Sequence, residues 1–380
     1  MEKRDCSLIP PRFTYEASED FKPEGRLWQS APSAAQTKNG RIFCVYSADN
    51  KGGGEYTTNY TICAYSDDNG EDYKLAFYAW HEHEVRISEV LLFMSPEGVL
   101  YHFWTQNYGY FDGRGGIWCM TCEDPDAPVP HFSEPRRICD GCMADNPVVL
   151  RDGRWLFPSS VWTHMESEWH PFPEYEKVSL WQSLDRGQTL TYLGGVTDPI
   201  PSFSENSVFE TADGRLCMYF RTQGAISPEL GGIAHSYSSD GGKTWTEKAY
   251  SPIKTPNGEF ATIPARFMVQ RFPSGALLLV THHGFDDEER NRSHLTALVS
   301  DDDGKTFSAS LLLDERNQVS YPSGNVTEDG RVILAYDRER LGAKEIMLAS
   351  FTEEDIRRGS FGEGSYTKKL VSAGGKKFGV

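Results

Sequence analysis

The sequence predicts an all-β chain: a six-bladed β-propeller with four-stranded antiparallel blades, one domain over residues 1–380. Three observations predict it. A turn carrying glycine, followed by an apolar strand, recurs six times. A second turn motif, S-x-D-x-G, is interleaved with it. Long helical periodicity is absent.

The units follow in order. The first turn and strand is TKNGRIFCVY, around Gly40, and its second turn is SDDNGEDY (66–73). The second unit has SPEGVLYHFW, around Gly98, and CEDPD (122–126) where the second turn should stand. The third pairs LRDGRWLFPS, around Gly153, with SLDRGQTL (183–190). The fourth pairs TADGRLCMYF, around Gly214, with SSDGGKTW (238–245). The fifth pairs FPSGALLLVT, around Gly275, with SDDDGKTF (300–307). The sixth has TEDGRVILAY, around Gly330, and no second turn; TEEDIRRG near 352–359 can make a short turn of helix there.

The glycines are 55 to 61 residues apart, room for four short strands per unit. Each reads as a hairpin turn, several of them Asn-Gly or Asp-Gly. Blades are expected to start near 26, 86, 143, 203, 263 and 318. Two stacked β-sandwiches would not need such even spacing.

Composition narrows the partners. Thirty-eight Lys and Arg against 55 Asp and Glu leave a net charge of −17. Nucleic acid wants a basic face, and so does an anionic membrane surface. No apolar stretch is long enough for membrane insertion. The start, MEKRDCSLIPPRF, has no apolar leader core. The expectation is a cytoplasmic chain, or a periplasmic or secreted one if a signal peptide has been removed.

Eight cysteines include Cys119, Cys122, Cys139 and Cys142, a C-x2-C-x16-C-x2-C spacing that fits a zinc ribbon. The first pair, however, sits in the strand-like run GIWCMTC. Cys44, Cys63 and Cys217 also lie in such runs, where cysteine acts as a small buried apolar residue. Reduced thiols and no metal are expected.

Register locates a central site. The innermost strands of a propeller start around one open channel mouth, so equivalent positions converge on its axis. Nine residues before each hairpin glycine stand Ala31, Glu89, Ala144, Glu205, Arg266 and Tyr321, and Asp145 is eight before the third. Charged residues opening apolar strands are not what a packed core wants, although a solvated rim could hold them. Arg221 and Arg292 sit on following strands and, like Arg266, could grip an anion with planar paired donors. Aromatics in WTQNYGYFDGRGG (104–116) suit stacking on sugars, or simple rim packing.

With these motifs the chain resembles the sialidase superfamily, six-bladed Asp-box propellers that cleave terminal sugars from glycans. The resemblance covers about residues 20–355 and rests also on DGRGGIW (112–118), NPVVLRDGRWLFPSSVW (146–162) and SYPSGNVTEDGRVILAYDRER (320–340). It implies Tyr321 as nucleophile, Glu205 as its partner, and Arg221 and Arg292 as two of three carboxylate-binding arginines. Glu55, in KGGGEYTTNY, implies the general acid, where the family usually has Asp. Ser30-Ala31-Pro32 stands where the family has Arg-Ile-Pro, so the first arginine is missing. Arg26, Arg86 and Arg266 are candidates to replace it.

The implied activity is exo-acting glycoside hydrolysis of a terminal, acidic sugar, with a glycan as substrate and no cofactor. Glu205 is expected within hydrogen-bond reach of the Tyr321 hydroxyl, because a phenol needs a base to react at neutral pH. Arg86, Glu89, Asp145 and Arg266 complete the candidate substrate-binding set. Two alternatives stand beside it. One is a non-catalytic Asp-box propeller that binds glycan or protein. The other is a glycosidase for a non-sialic sugar, using a carboxylate pair drawn from Glu89, Asp145 and Glu205.

Overall fold

In the computed structural model, residues 4–108, 115–162, 178–197, 204–222, 232–260, 262–286 and 291–374 are described. Six antiparallel sheets of consecutive strands form the six blades. Their innermost strands are Trp28–Gln36, Arg86–Met94, Val148–Val149, Asn206–Glu210, Met268–Arg271 and Val319–Val326.

Two features depart from a plain four-stranded repeat. Arg12–Thr14 adds a fifth strand to the first blade by pairing with Tyr78–Trp80 at its outer edge. A small hairpin, Ile253–Thr255 with Gly258–Phe260, lies between the fourth and fifth blades. No helix among the described residues is long and apolar enough to cross a membrane.

The six hairpin glycines share one conformation, with φ between 83° and 94°. Each amide bonds the carbonyl three residues back, as Gly40 does to Thr37 at 3.0 Å. Glycine is therefore the fourth, left-handed residue of the turn, not the inner residue of a two-residue Asn-Gly loop. A Cβ at Gly214 would meet nothing within 4 Å, so the backbone angle and not space demands glycine.

The second turns are equally uniform. In the third blade Ser183 Oγ donates to Asp185, Gly187 N donates to Ser183 Oγ, and Thr189 gives Asp185 both its amide and its hydroxyl. Asp68, Asp240 and Asp302 are held in the same manner. These bonds to the ionised form bring Asp185 down to about 2. In the sixth blade the helix Glu353–Arg358 takes this place, capped by Thr352 and Asp355.

The core is a ring of interfaces between blades. Tyr73, Trp245 and Phe307, from three of the Asp-boxes, pack between their own blade and the one before. Cys119 and Cys139 belong to the interface of blades two and three, whereas Cys122 faces the interface of blades one and two. Cys142 lies apart, against Trp162. Two sheet faces thus separate the sulfurs of the ribbon-like spacing. All eight cysteines are free thiols.

Candidate active site

Three innermost strands break register at the same place. Shifts fall between Ser30 and Ser33, Ser88 and Leu91, and Ser320 and Ser323. Inside them Ala31, Glu89 and Tyr321 have φ of 50°, 50° and 52°, the left-handed region that costs an L-residue about 1–2 kcal/mol. A bulge of this kind re-aims a side chain. Strain repeated at register-matched positions, two of them polar, marks a site.

Tyr321 is buried, with 8% of its surface exposed, amid guanidinium groups. The Arg340, Arg292 and Arg266 carbons lie 4.0, 5.3 and 5.7 Å from its ring centroid. Arg221 donates to Glu205 Oε2 at 2.7 Å, and its charge interacts with the Tyr321 side chain. The structure differs from the expected Glu205–Tyr321 bond: among the described residues no hydrogen bond joins the two, and Glu205 pairs with Arg221 instead.

The electrostatics split these groups. Burial pushes Tyr321 up, Glu205 adds to the rise, and Arg340 and Arg221 only partly offset it. Burial also pushes Glu205 upward, but Arg221, Arg266 and Arg292 outweigh it and its pKa falls. A charged carboxylate thus neighbours a neutral phenol.

Arg340 is the residue the sequence reading missed. It follows the strand Arg331–Arg338 and takes the side of the axis where Ser30 stands. Asp337 joins them: it accepts from Ser30 Oγ at 2.6 Å, from Ala31 N at 3.1 Å and from Arg340 Nε at 3.2 Å. Arg340 and Arg292 both donate to Ser320 Oγ, at 3.0 and 2.5 Å. A small serine leaves room for a guanidinium arriving from the neighbouring blade. The only signal was the charged end of YDRER, which looks like a solvated hairpin.

None of the three sequence candidates fills that place. Arg26 is tied to Gln29, Tyr46 and Ser372 beneath the first blade's loops. Arg86 bonds Asn59 and lies 3.6 Å from Glu55. Arg266 pairs with Glu89 at 3.3 Å. Glu55 itself is half-open to solvent, 3.9 Å from Arg340.

Two further buried acids, Glu89 and Asp145, neighbour Arg266. Burial pushes Glu89 up to about 7, with Glu205 adding to the rise and Arg266 opposing it. Asp145 is pushed up to about 6 by burial, against bonds from Ser207 and the Asn146 amide. Ala144 is buried and brings no polar group. The loop aromatics divide. Trp104 stacks on Trp118 inside the core, and Tyr108 OH binds Asp5 and the Cys6 amide in the N-terminal segment. Residues 109–114 of that loop lie outside the described residues. A cavity of about 970 Å³ opens at the opposite end of the axis, among the hairpin turns and away from this cluster.

The fold and the axial cluster define a class, the sialidase-like six-bladed propeller. The sequence profile of the BNR repeat-like domain matches residues 75–334, and the chain belongs to that family. Among solved structures it is similar to a protein of unknown function from Dyadobacter fermentans, at 16% identity and a TM-score of 0.60, covering 90% of this chain and 97% of that one. A Hadza microbial sialidase is similar at 16% identity and a TM-score of 0.61, covering 87% of this chain and 66% of that one. A leech intramolecular trans-sialidase, complexed with 2,7-anhydro-Neu5Ac, is similar at 12% identity and a TM-score of 0.60, covering 91% and 71%. A search of the curated proteins finds no match.

Proposed function

We propose that the chain is an exo-acting glycoside hydrolase of sialidase type, removing a terminal acidic sugar from a glycan. The observation that carries this reading is Tyr321, buried, strained and ringed by Arg221, Arg292 and Arg340, with the ionised Glu205 beside it.

The chemistry follows from charge. Three guanidinium groups grip the sugar carboxylate, and planar donors fix its orientation. A neutral phenol can approach an anionic sugar where a carboxylate nucleophile would be repelled. As the Tyr321 oxygen bonds the anomeric carbon and the glycosidic bond to the leaving oxygen breaks, Glu205, which the arginines keep ionised, takes the phenol proton once the two come within hydrogen-bond reach in the substrate complex. The Arg221 and Arg340 charges steady the phenolate character that develops. Glu55, at the solvent side, protonates the leaving oxygen and then draws a proton from the water that frees the enzyme. Two displacements retain the anomeric configuration.

A second reading rests on the opposed shifts of Glu89 and Glu205. A carboxylic acid raised to about 7 next to a carboxylate held ionised is also an acid–base pair. One experiment separates them. Aryl glycosides, a sialoside and uronides among them, are assayed with the wild type and with Tyr321→Phe. The nucleophile reading expects turnover to fall by about 10³ or more at an unchanged melting temperature. Full activity in Tyr321→Phe would hand the chemistry to the carboxylate pair, and no turnover of any glycoside would favour a binding propeller.

A further inference from the structure

We infer that a cavity between the loops of the first two blades is the leaving-group subsite, which holds the neutral sugars standing behind the acidic one. The inference rests on the glycosidase reading above and names the part of the substrate that Glu55 releases.

The cavity has a volume of about 730 Å³, inside the roughly 300–1,000 Å³ span of ligand pockets. Its walls are loops at the end of the propeller where Glu89 and Tyr321 stand. Residues 50–51 and 57–59 flank Glu55 in the loop between the strands Ile42–Asp49 and Tyr60–Ser66. Residues 80–84 lead to Arg86, which opens the strand that carries Glu89. Tyr108 follows Asn107, the strand partner of Arg86.

Side chains join this cavity to the general acid. Asn59 lines it and accepts from Arg86 Nε at 3.3 Å. Arg86 Nη2 lies 3.6 Å from Glu55 Oε2, and the other Glu55 oxygen lies 3.9 Å from Arg340. Glu55 therefore stands between the arginines around Tyr321 and the cavity wall. An acid that protonates the leaving oxygen has the rest of the glycan on its own side.

The lining suits neutral sugars and not a second anion. Two cations, Arg4 and Lys51, meet three acids, Asp20, Glu82 and Glu84, so no positive charge is left over. Trp80 is half-buried and backed by Phe21, with 5.2 Å between ring centroids. The side chains of Lys51, Thr57 and Glu84 make no hydrogen bond or ion pair among the described residues. A supported aromatic ring beside uncommitted donors and acceptors matches the C–H face and the hydroxyls of a sugar.

Calorimetry and saturation-transfer NMR with lactose, cellobiose and maltose test this, since binding a neutral disaccharide needs no turnover. At least one is expected to bind the wild type in the millimolar range, and Trp80→Ala should weaken it about tenfold. Thr57→Trp fills the cavity from its loop and should abolish binding; it decides the matter if Trp80→Ala does not fold by near-UV circular dichroism. With sialyllactose and an aryl sialoside as substrates, Trp80→Ala should raise KM about tenfold for the first and leave the second nearly unchanged. Binding of none of the disaccharides, binding untouched by these variants, or equal changes in the two KM values overturns the subsite. No turnover of any glycoside overturns the leaving-group role together with the reading it rests on. A fully active Tyr321→Phe with the disaccharide still bound overturns the nucleophile alone.

Discussion

Arg340 lies 4.0 Å above the Tyr321 ring and shares Asp337 with Ser30, so its worth should appear in substrate binding. Arg340→Lys keeps the charge and loses the planar fork. It is expected to raise KM for an acidic glycoside about tenfold, with a smaller change in kcat, and to leave neutral glycosides unaffected. Steady-state kinetics on both substrate types checks this. Asp145 offers a test of a different kind. Its pKa is raised from 3.8 to about 6, so the folded chain binds that proton more tightly than the unfolded chain. Its contribution is present in acid and is lost as pH rises through this window. Asp145→Asn should flatten that part of the stability profile. Urea midpoints from about pH 4 to pH 7 that keep the wild-type slope would contradict the assignment.

At the scale of single elements, the turns carry the repeat. Asp185 is drawn down to about 2 by the bonds of its own turn. A lowered acid stabilises the fold above its unfolded pKa of 3.8 and loses that effect as pH falls through the folded value. The gap in melting temperature between wild type and Asp185→Asn is therefore expected to close between about pH 4 and pH 2. Gly214, at φ 84°, is a cleaner case because nothing crowds it. Gly214→Ala should cost about 1–2 kcal/mol in chemical denaturation through backbone strain alone. The glycines were legible in the sequence because only glycine accepts that angle cheaply. The bulges around Ala31, Glu89 and Tyr321 were not, since nothing local demands a left-handed alanine, glutamate or tyrosine.

For the whole molecule, closure of the ring sets the site. Blade six packs on blade one through Ile333, Ala335 and Leu348 against Ile42, Ile62 and Tyr73. The N-terminal segment then ties blade one to blade two. Arg12–Thr14 covers the edge of the first sheet, while Gln106 donates to the Ser7 and Ile9 carbonyls. Removing residues 1–14 bares that edge and leaves the Gln106 amide without these partners. The truncated chain is expected to melt several degrees lower, by roughly what losing a few hydrogen bonds implies, and to associate at high concentration. Light scattering and thermal denaturation read the two effects separately.

The sequence by itself determined the repeat, the all-β class and the axial positions of Glu89, Glu205, Arg266 and Tyr321. Each of these follows from spacing along the chain: turn glycines need a positive φ, and equal distances from them lead to equal places in a ring. The tertiary structure alone decided which of those groups touch. Arg340 reaches Tyr321 because Ser30, about 300 residues away in sequence, leaves the space and Asp337 bonds both. Arg221 pairs with Glu205 because adjacent strands of one blade bring them side by side. Glu89 is raised and Glu205 lowered although both are buried carboxylates at the same register. The difference is how many arginines face each one, and that is fixed by the closing of six blades around an axis.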